Sequence, residues 1–191
     1  KALAVLALLA LSACGATDVK YATDAEMSAP TARFVAEKPT SITLFTVTSV
    51  RSGAGAHSGL LINASEQVLF DPAGSWQHPK TPERNDVHYG ITPRMVTFYI
   101  DYHARPTYNM TTQTVIVSPQ VAELIKQKAE AYGAVPKAHC ADSISTILQG
   151  VPGFEQIKPT WYPKKLSENF AALPNVVSKF TTDATADKSH G

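Results

Sequence analysis

Cysteine is almost absent: two in 191 residues. A fold stapled by several disulfides is therefore excluded. Charge of either sign is scarce as well. Seventeen Lys and Arg stand against 16 Asp and Glu, charged residues make up 17% of the chain, and the net charge is +1. There is no basic field to attract nucleic acid and no acidic tail. Long apolar runs are missing too, since the run over 2–11 falls short of the about 20 residues a membrane-spanning helix needs. No internal repeat interrupts the pattern. What the chain does have is proline, 13 in all, which predicts a mixed fold with many short connections.

Lys1 precedes the apolar run, and Ser12-Ala13-Cys14 follows it. A positive residue, a short apolar stretch and small residues before a cleavage point are the parts of an export signal. A buried N-terminal helix is the alternative, but the run has no polar face to make it amphipathic. The missing initiator Met predicts that a few upstream residues are absent. Leu11-Ser12-Ala13-Cys14 resembles the lipobox of bacterial lipoproteins. That resemblance implies acylation of Cys14 as the mature N-terminus, with a cell-envelope location. Gly15 in place of Asp implies the outer membrane, facing the periplasm. The expected organisation is a signal peptide over 1–13, a lipidated tether over 14–38, one domain over 39–178 and a polar tail over 179–191. Residues 15–38 are small or polar without a period, as tethers are. The remainder, roughly 150 residues, suffices for one domain with a proper core. Lipid on Cys14 would leave Cys140 as the only free thiol of an exported protein, and such a thiol seldom persists without a reason.

Across the domain, β-branched residues over 40–50 predict a strand. Residues 57–62 and 67–71, joined by a turn at 63–66, predict a hairpin. Residues 72–89 read as a long loop, a functional flap or a binding loop. Thr92-Pro93 and Ser118-Pro119 are N-caps followed by proline at the first helical position. They open predicted helices over 93–103 and up to Gly133. A strand over 111–117, a helix over 140–148 and a last helix from Tyr162-Pro163 complete about four strands and four helices, an α+β pattern.

Cys140 falls at a predicted helix start, where backbone N–H groups favour the thiolate and can form part of an oxyanion hole. A cysteine nucleophile needs a base, and the base an orienting partner. His57 opens one hairpin strand and Asp71 closes the other, so the two can lie side by side. Neighbouring helical side chains diverge by about 100°, which gives the adjacent His139 a modulating or structural role. His78, His88 and His103, with Asp86 or Asp101, lack the tight spacing of zinc motifs, so no metal or other cofactor is expected. Trp76, Tyr89, Tyr99, Tyr102 and Trp161 read as core or loop packing. Trp76, in the long loop, is the one candidate for a sugar platform.

His57-Ser58-Gly59-Leu60-Leu61-Ile62, a turn, and then Val68-Leu69-Phe70-Asp71 resembles the His-x-Gly hairpin of NlpC/P60 hydrolases. The order, His first and Cys last, is similar to the circularly permuted papain-like group that includes YiiX/YebB-type and lecithin:retinol acyltransferase-like proteins. The resemblance spans roughly residues 52–148. It implies a small antiparallel sheet packed against helices, with Cys140 as nucleophile, His57 as base and Asp71 as orienting group. A third position that is often His or another polar group in the family, and an insert over 72–89 with no counterpart, are the departures. The implied activity is a lipid-anchored cysteine peptidase or amidase acting on cell-wall peptides. A lipid acyltransferase or thioesterase on the same fold, acting on another amide or ester, is the enzymatic alternative, and a non-catalytic binding lipoprotein is the other. The only other partner expected is the membrane, through the lipid on Cys14.

Overall fold

The computed structural model describes residues 21–189. Cys14, the expected signal and the first part of the tether lie outside the described residues. The rest is α+β. Among the described residues, no helix is long and apolar enough to cross a membrane.

The strands are β1 (Ser41–Ser49), β2 (Gly55–Asn63), β3 (Gln67–Phe70), β4 (Glu83–Arg84), β5 (Val87–His88), β6 (Tyr108–Ile116) and β7 (Val177–Thr181). They form one antiparallel sheet in the order β4-β5-β3-β2-β1-β6-β7. Strand β1 lies inside the sheet, between β2 and β6, and both of its faces are covered. Residues 42–47 are accordingly all buried, where alternating exposure would mark a half-solvated strand. Ile42 and Leu44 join Leu60, Ile62 and Phe70 on one face. Phe45 and Val47 join Leu61, Leu69 and Met110 on the other.

The helices are α1 (Asp24–Ser28), α2 (Pro93–His103), α3 (Pro119–Tyr132), α4 (Cys140–Leu148) and α5 (Pro163–Ala171). Both predicted caps form: Thr92 Oγ1 accepts from Met95 N and Ser118 Oγ from Val121 N, each at 3.3 Å. Gly133 ends α3 at φ 89°, a conformation that costs glycine little. Helices α3, α4 and α5 bury Ile125, Ile144, Ile147 and Phe170 against the first face. Helix α2 covers the second with Met95 and Tyr99. The sheet is thus a middle layer between helices.

Three expectations need correction. The part of the 14–38 tether that is described is docked rather than free. Thr23 and Glu26 form a capping box that starts α1, Ala22 N donates to Glu83 O at 2.8 Å, and Gln67 N donates to Phe34 O at 2.7 Å. Those pairings tie residues 21–38 to the β3–β4 side of the sheet, and the Thr-x-x-Glu signature was available in the sequence. The 179–191 tail begins inside β7, whose pairing with β6 runs from Val177 to Thr181. The 72–89 stretch is not a flap. It holds the β4–β5 hairpin, whose turn residues Asn85 and Asp86 have φ of 54° and 61°, the left-handed pair of a type I′ turn. It also inserts Trp76, 1% exposed, into the core.

Candidate active site

Strand β3 stops at Phe70, whose partner is Leu60, so His57, Ser58 and Gly59 of β2 run past its end. A bulge precedes them: Val47 pairs with His57 and Thr48 with Gly55, leaving Ala56 unmatched. Bulges bend a strand and re-aim its side chains. The start of α4 meets this stretch of β2. Cys140, 6% exposed, sits where the His57 side chain and the backbone N–H groups of Ser58 and Ala141 act on its thiol. The structure thus brings together the three residues singled out in the sequence. His57 Nε2 lies 2.7 Å from Asp71 Oδ1, which leaves Nδ1 as the ring nitrogen for the thiol.

Burial opposes charge on all three groups, and their mutual interactions override it. For His57, burial lowers the pKa, but the Asp71 carboxylate and then Cys140 lift it to about 10. For Asp71, burial raises the pKa, but His57 brings it down to about 2. For Cys140, burial again raises it, while His57 and the Ser58 and Ala141 N–H groups carry it below the ordinary thiol value. All three shifts run in the direction of a thiolate–imidazolium pair backed by a carboxylate. That arrangement can attack an electrophilic carbonyl and then protonate a leaving group. The first-turn N–H groups of α4 have no carbonyl one turn back to bond, and are placed to receive a developing oxyanion.

Several positioning groups escaped the sequence reading. Tyr99, taken as core packing, donates its hydroxyl to Asp71 Oδ1 at 2.5 Å. Burial and then Asp71 push its pKa well above the ordinary range, so it remains a donor. Gly59 explains the glycine of the His-x-Gly pattern: a Cβ there would sit 2.4 Å from Tyr99 Oη and 3.3 Å from Asp71 Oδ1. Gly74 plays the same part on the other side, where a Cβ would lie 1.8 Å from Asp71 Oδ2. Asp86 accepts from Ala73 N at 3.3 Å and from Val135 N at 2.8 Å, clamping the stretch after Asp71 to the segment that leads into Cys140. Tyr99 carries no local signal of this role, because it depends on a contact between distant segments.

His103 stacks on His57, with ring centroids 5.6 Å apart and planes 14° from parallel. Its Nδ1 donates to Tyr99 O at 2.9 Å, and burial holds its pKa down to about 4, leaving it neutral. His57, Asp71 and His103 present potential ligand atoms within 4.8 Å of one another. Two ligands of one zinc, each at about 2.0 Å in tetrahedral array, stand farther apart than the 2.7 Å between His57 and Asp71. The cluster is therefore wired by hydrogen bonds, with the geometry of a base and its orienting acid. His88 is buried beside Trp76, and His78 accepts from Lys80 N. Asp101 pairs with Lys188.

His139 is the N-cap residue of α4 without a side-chain cap bond. Its ring packs on Trp161, with centroids 4.2 Å apart. Trp161 is 53% exposed, against the expected packing role, whereas Trp76 is buried and offers no sugar platform. A groove of about 550 Å³ lined by Lys38, Ser65 and Glu123 lies at the far end of β2 from His57 and holds no nucleophile–base pair. Comparison with family models, curated proteins and solved structures finds no match to this chain.

Proposed function

We propose that this protein is a cysteine hydrolase of permuted NlpC/P60, papain-like type. We read it as anchored in the cell envelope through lipid on Cys14 and cleaving amide bonds in cell-wall peptides. One observation carries the reading. The Cys140 thiol at the start of α4 adjoins His57, which acts on its ionisation, and His57 Nε2 lies 2.7 Å from the buried Asp71 carboxylate. Sγ of Cys140 attacks the carbonyl carbon, and N–H groups at the helix start hold the oxyanion. The C–N bond then breaks as His57 gives its proton to the leaving amine, and a thioester remains. His57, now neutral, takes a proton from water as the hydroxide adds to the thioester carbonyl. Release of the carboxylic acid restores thiolate and imidazolium. Asp71 keeps the ring oriented throughout and stabilises its cationic form.

Purified wall peptides incubated with the protein test this directly by mass spectrometry. Cleavage that disappears in Cys140→Ala is expected. Intact wall peptides alongside turnover of acyl-lipids or thioesters would move the assignment to the acyltransferase or thioesterase branch. A Cys140 that iodoacetamide alkylates no faster than an ordinary thiol would sink both enzymatic readings and leave the binding lipoprotein.

A further inference from the structure

Next to His57 lies a cleft of about 300 Å³ that Cys140 does not line. Its walls include Ala73, Ser75, Tyr102, His103, Arg105 and Tyr108. The chemistry assigns this space a side of the substrate. The acyl carbon ends on Sγ of Cys140 while the leaving nitrogen takes its proton from His57, so the leaving half extends towards the imidazole and beyond it. No carboxylate lines the cleft, and Asp71 behind it is occupied by His57 and Tyr99.

Arg105 is the one permanently charged side chain of the lining, and it is held in place. Its backbone is fixed by a two-way pairing across a tight turn, with Arg105 N to Tyr108 O at 3.0 Å and Tyr108 N to Arg105 O at 2.9 Å. Its guanidinium lies over the Tyr102 ring at 4.2 Å, and Nε donates to Tyr102 O. Tyr102 is in turn braced by its hydroxyl contact with Ser75 Oγ at 3.3 Å. Among the described residues no acid pairs with Arg105, so its two terminal nitrogens remain for a ligand. A stacked, oriented guanidinium fork suits a planar carboxylate, which can accept two parallel hydrogen bonds.

We propose that this cleft is the leaving-group subsite and that Arg105 binds a carboxylate on the amine-bearing half of a peptide substrate. The inference rests on the hydrolase reading for its orientation. The carboxylate is either a chain terminus or an acidic side chain, and the test separates the two.

Binding is measured by calorimetry on the Cys140→Ala protein with three probes: dialanine, dialanine amide, and Ala-Glu amidated at its C-terminus. A carboxylate probe is expected to bind about tenfold more tightly than dialanine amide. Arg105→Met, which keeps an apolar stem over Tyr102, is expected to bring that ratio to about one, and Arg105→Lys to retain part of it. Preference for dialanine marks a terminal carboxylate, and preference for Ala-Glu amide marks a side chain. Equal binding of the three, no binding of any at millimolar concentration, or a preference that survives Arg105→Met overturns the assignment. Turnover of N-acyl dialanine by the wild-type protein separates this inference from its premise. Arg105-dependent binding without turnover keeps the anion subsite and removes the hydrolase. Cys140-dependent turnover with carboxylate-blind binding does the reverse.

Discussion

Replacing Asp71 with Asn removes one charge and almost no volume, and its effect can be followed through the whole site. In the native protein, burial disfavours the charged imidazole, and the Asp71 carboxylate reverses this to hold His57 near about 10. Without the carboxylate, burial prevails and His57 is neutral at pH 7. The thiolate then loses its main counter-charge, because the His57 hydrogen bond and charge lead the effects that lower Cys140. A thiol at its ordinary value of about 8.5 is only about 3% ionised at pH 7, so alkylation by iodoacetamide should slow, by up to roughly 30-fold if the native thiol is fully ionised. The pH profile should change shape as well. If the native site rests as the proposed ion pair, its rate levels off at a lower pH than that of Asp71→Asn, whose rate climbs with pH as an isolated thiol's does. An unchanged rate and profile in a variant with native circular dichroism would refute the proposed ion pair.

Other expectations follow from the same contacts. Tyr99→Phe leaves Asp71 with one donor fewer, a charged hydrogen bond worth about 1.5–3 kcal/mol. A fall in kcat of about tenfold or more with little change in KM should appear in steady-state kinetics. Gly59→Ala places a methyl 2.4 Å from Tyr99 Oη and should cost about 1–3 kcal/mol in urea unfolding. Adding Tyr99→Phe should restore most of that stability but not the rate. In the pH dependence of stability, His57 is raised from 6.5 to about 10, so its contribution is complete below 6.5 and is lost as pH climbs through about 10. Asp71 is lowered from 3.8 to about 2, so its contribution is present above 3.8 and is lost as pH falls through about 2. His88 and His103, each held at about 4, remove stability as pH falls from 6.5 towards 4. Thermal melts should therefore peak near neutral pH, and the alkaline decline should be shallower in His57→Gln, where a decline identical to wild type would contradict the pair.

Local chemistry was a sound guide wherever the determinant was local. Thr92-Pro93 and Ser118-Pro119 started α2 and α3 because a capping hydroxyl and a proline act within one turn. The hairpin of β2 and β3 put His57 beside Asp71 because strands joined by a short turn share an end. The docked 21–38 segment and the β4–β5 turn also carried local marks, in the Thr23–Glu26 box and in Asn85-Asp86. Strand β7 had no such mark. Its outer face is exposed, and pairing with β6 alone holds it in the sheet.

The cysteine count and the unpaired state expected of Cys140 came from sequence alone, and so did its place at a helix start and the His57–Asp71 hairpin. Tertiary structure decided the rest. The approach of α4 to β2 past the end of β3, the hydroxyl of Tyr99 on Asp71, and the stacking of His103 on His57 all join segments far apart in the chain. Such contacts arise when helices bury their apolar faces on both sides of one sheet. A linear pattern records which face a residue prefers, but the packing of that face on another element selects its neighbours.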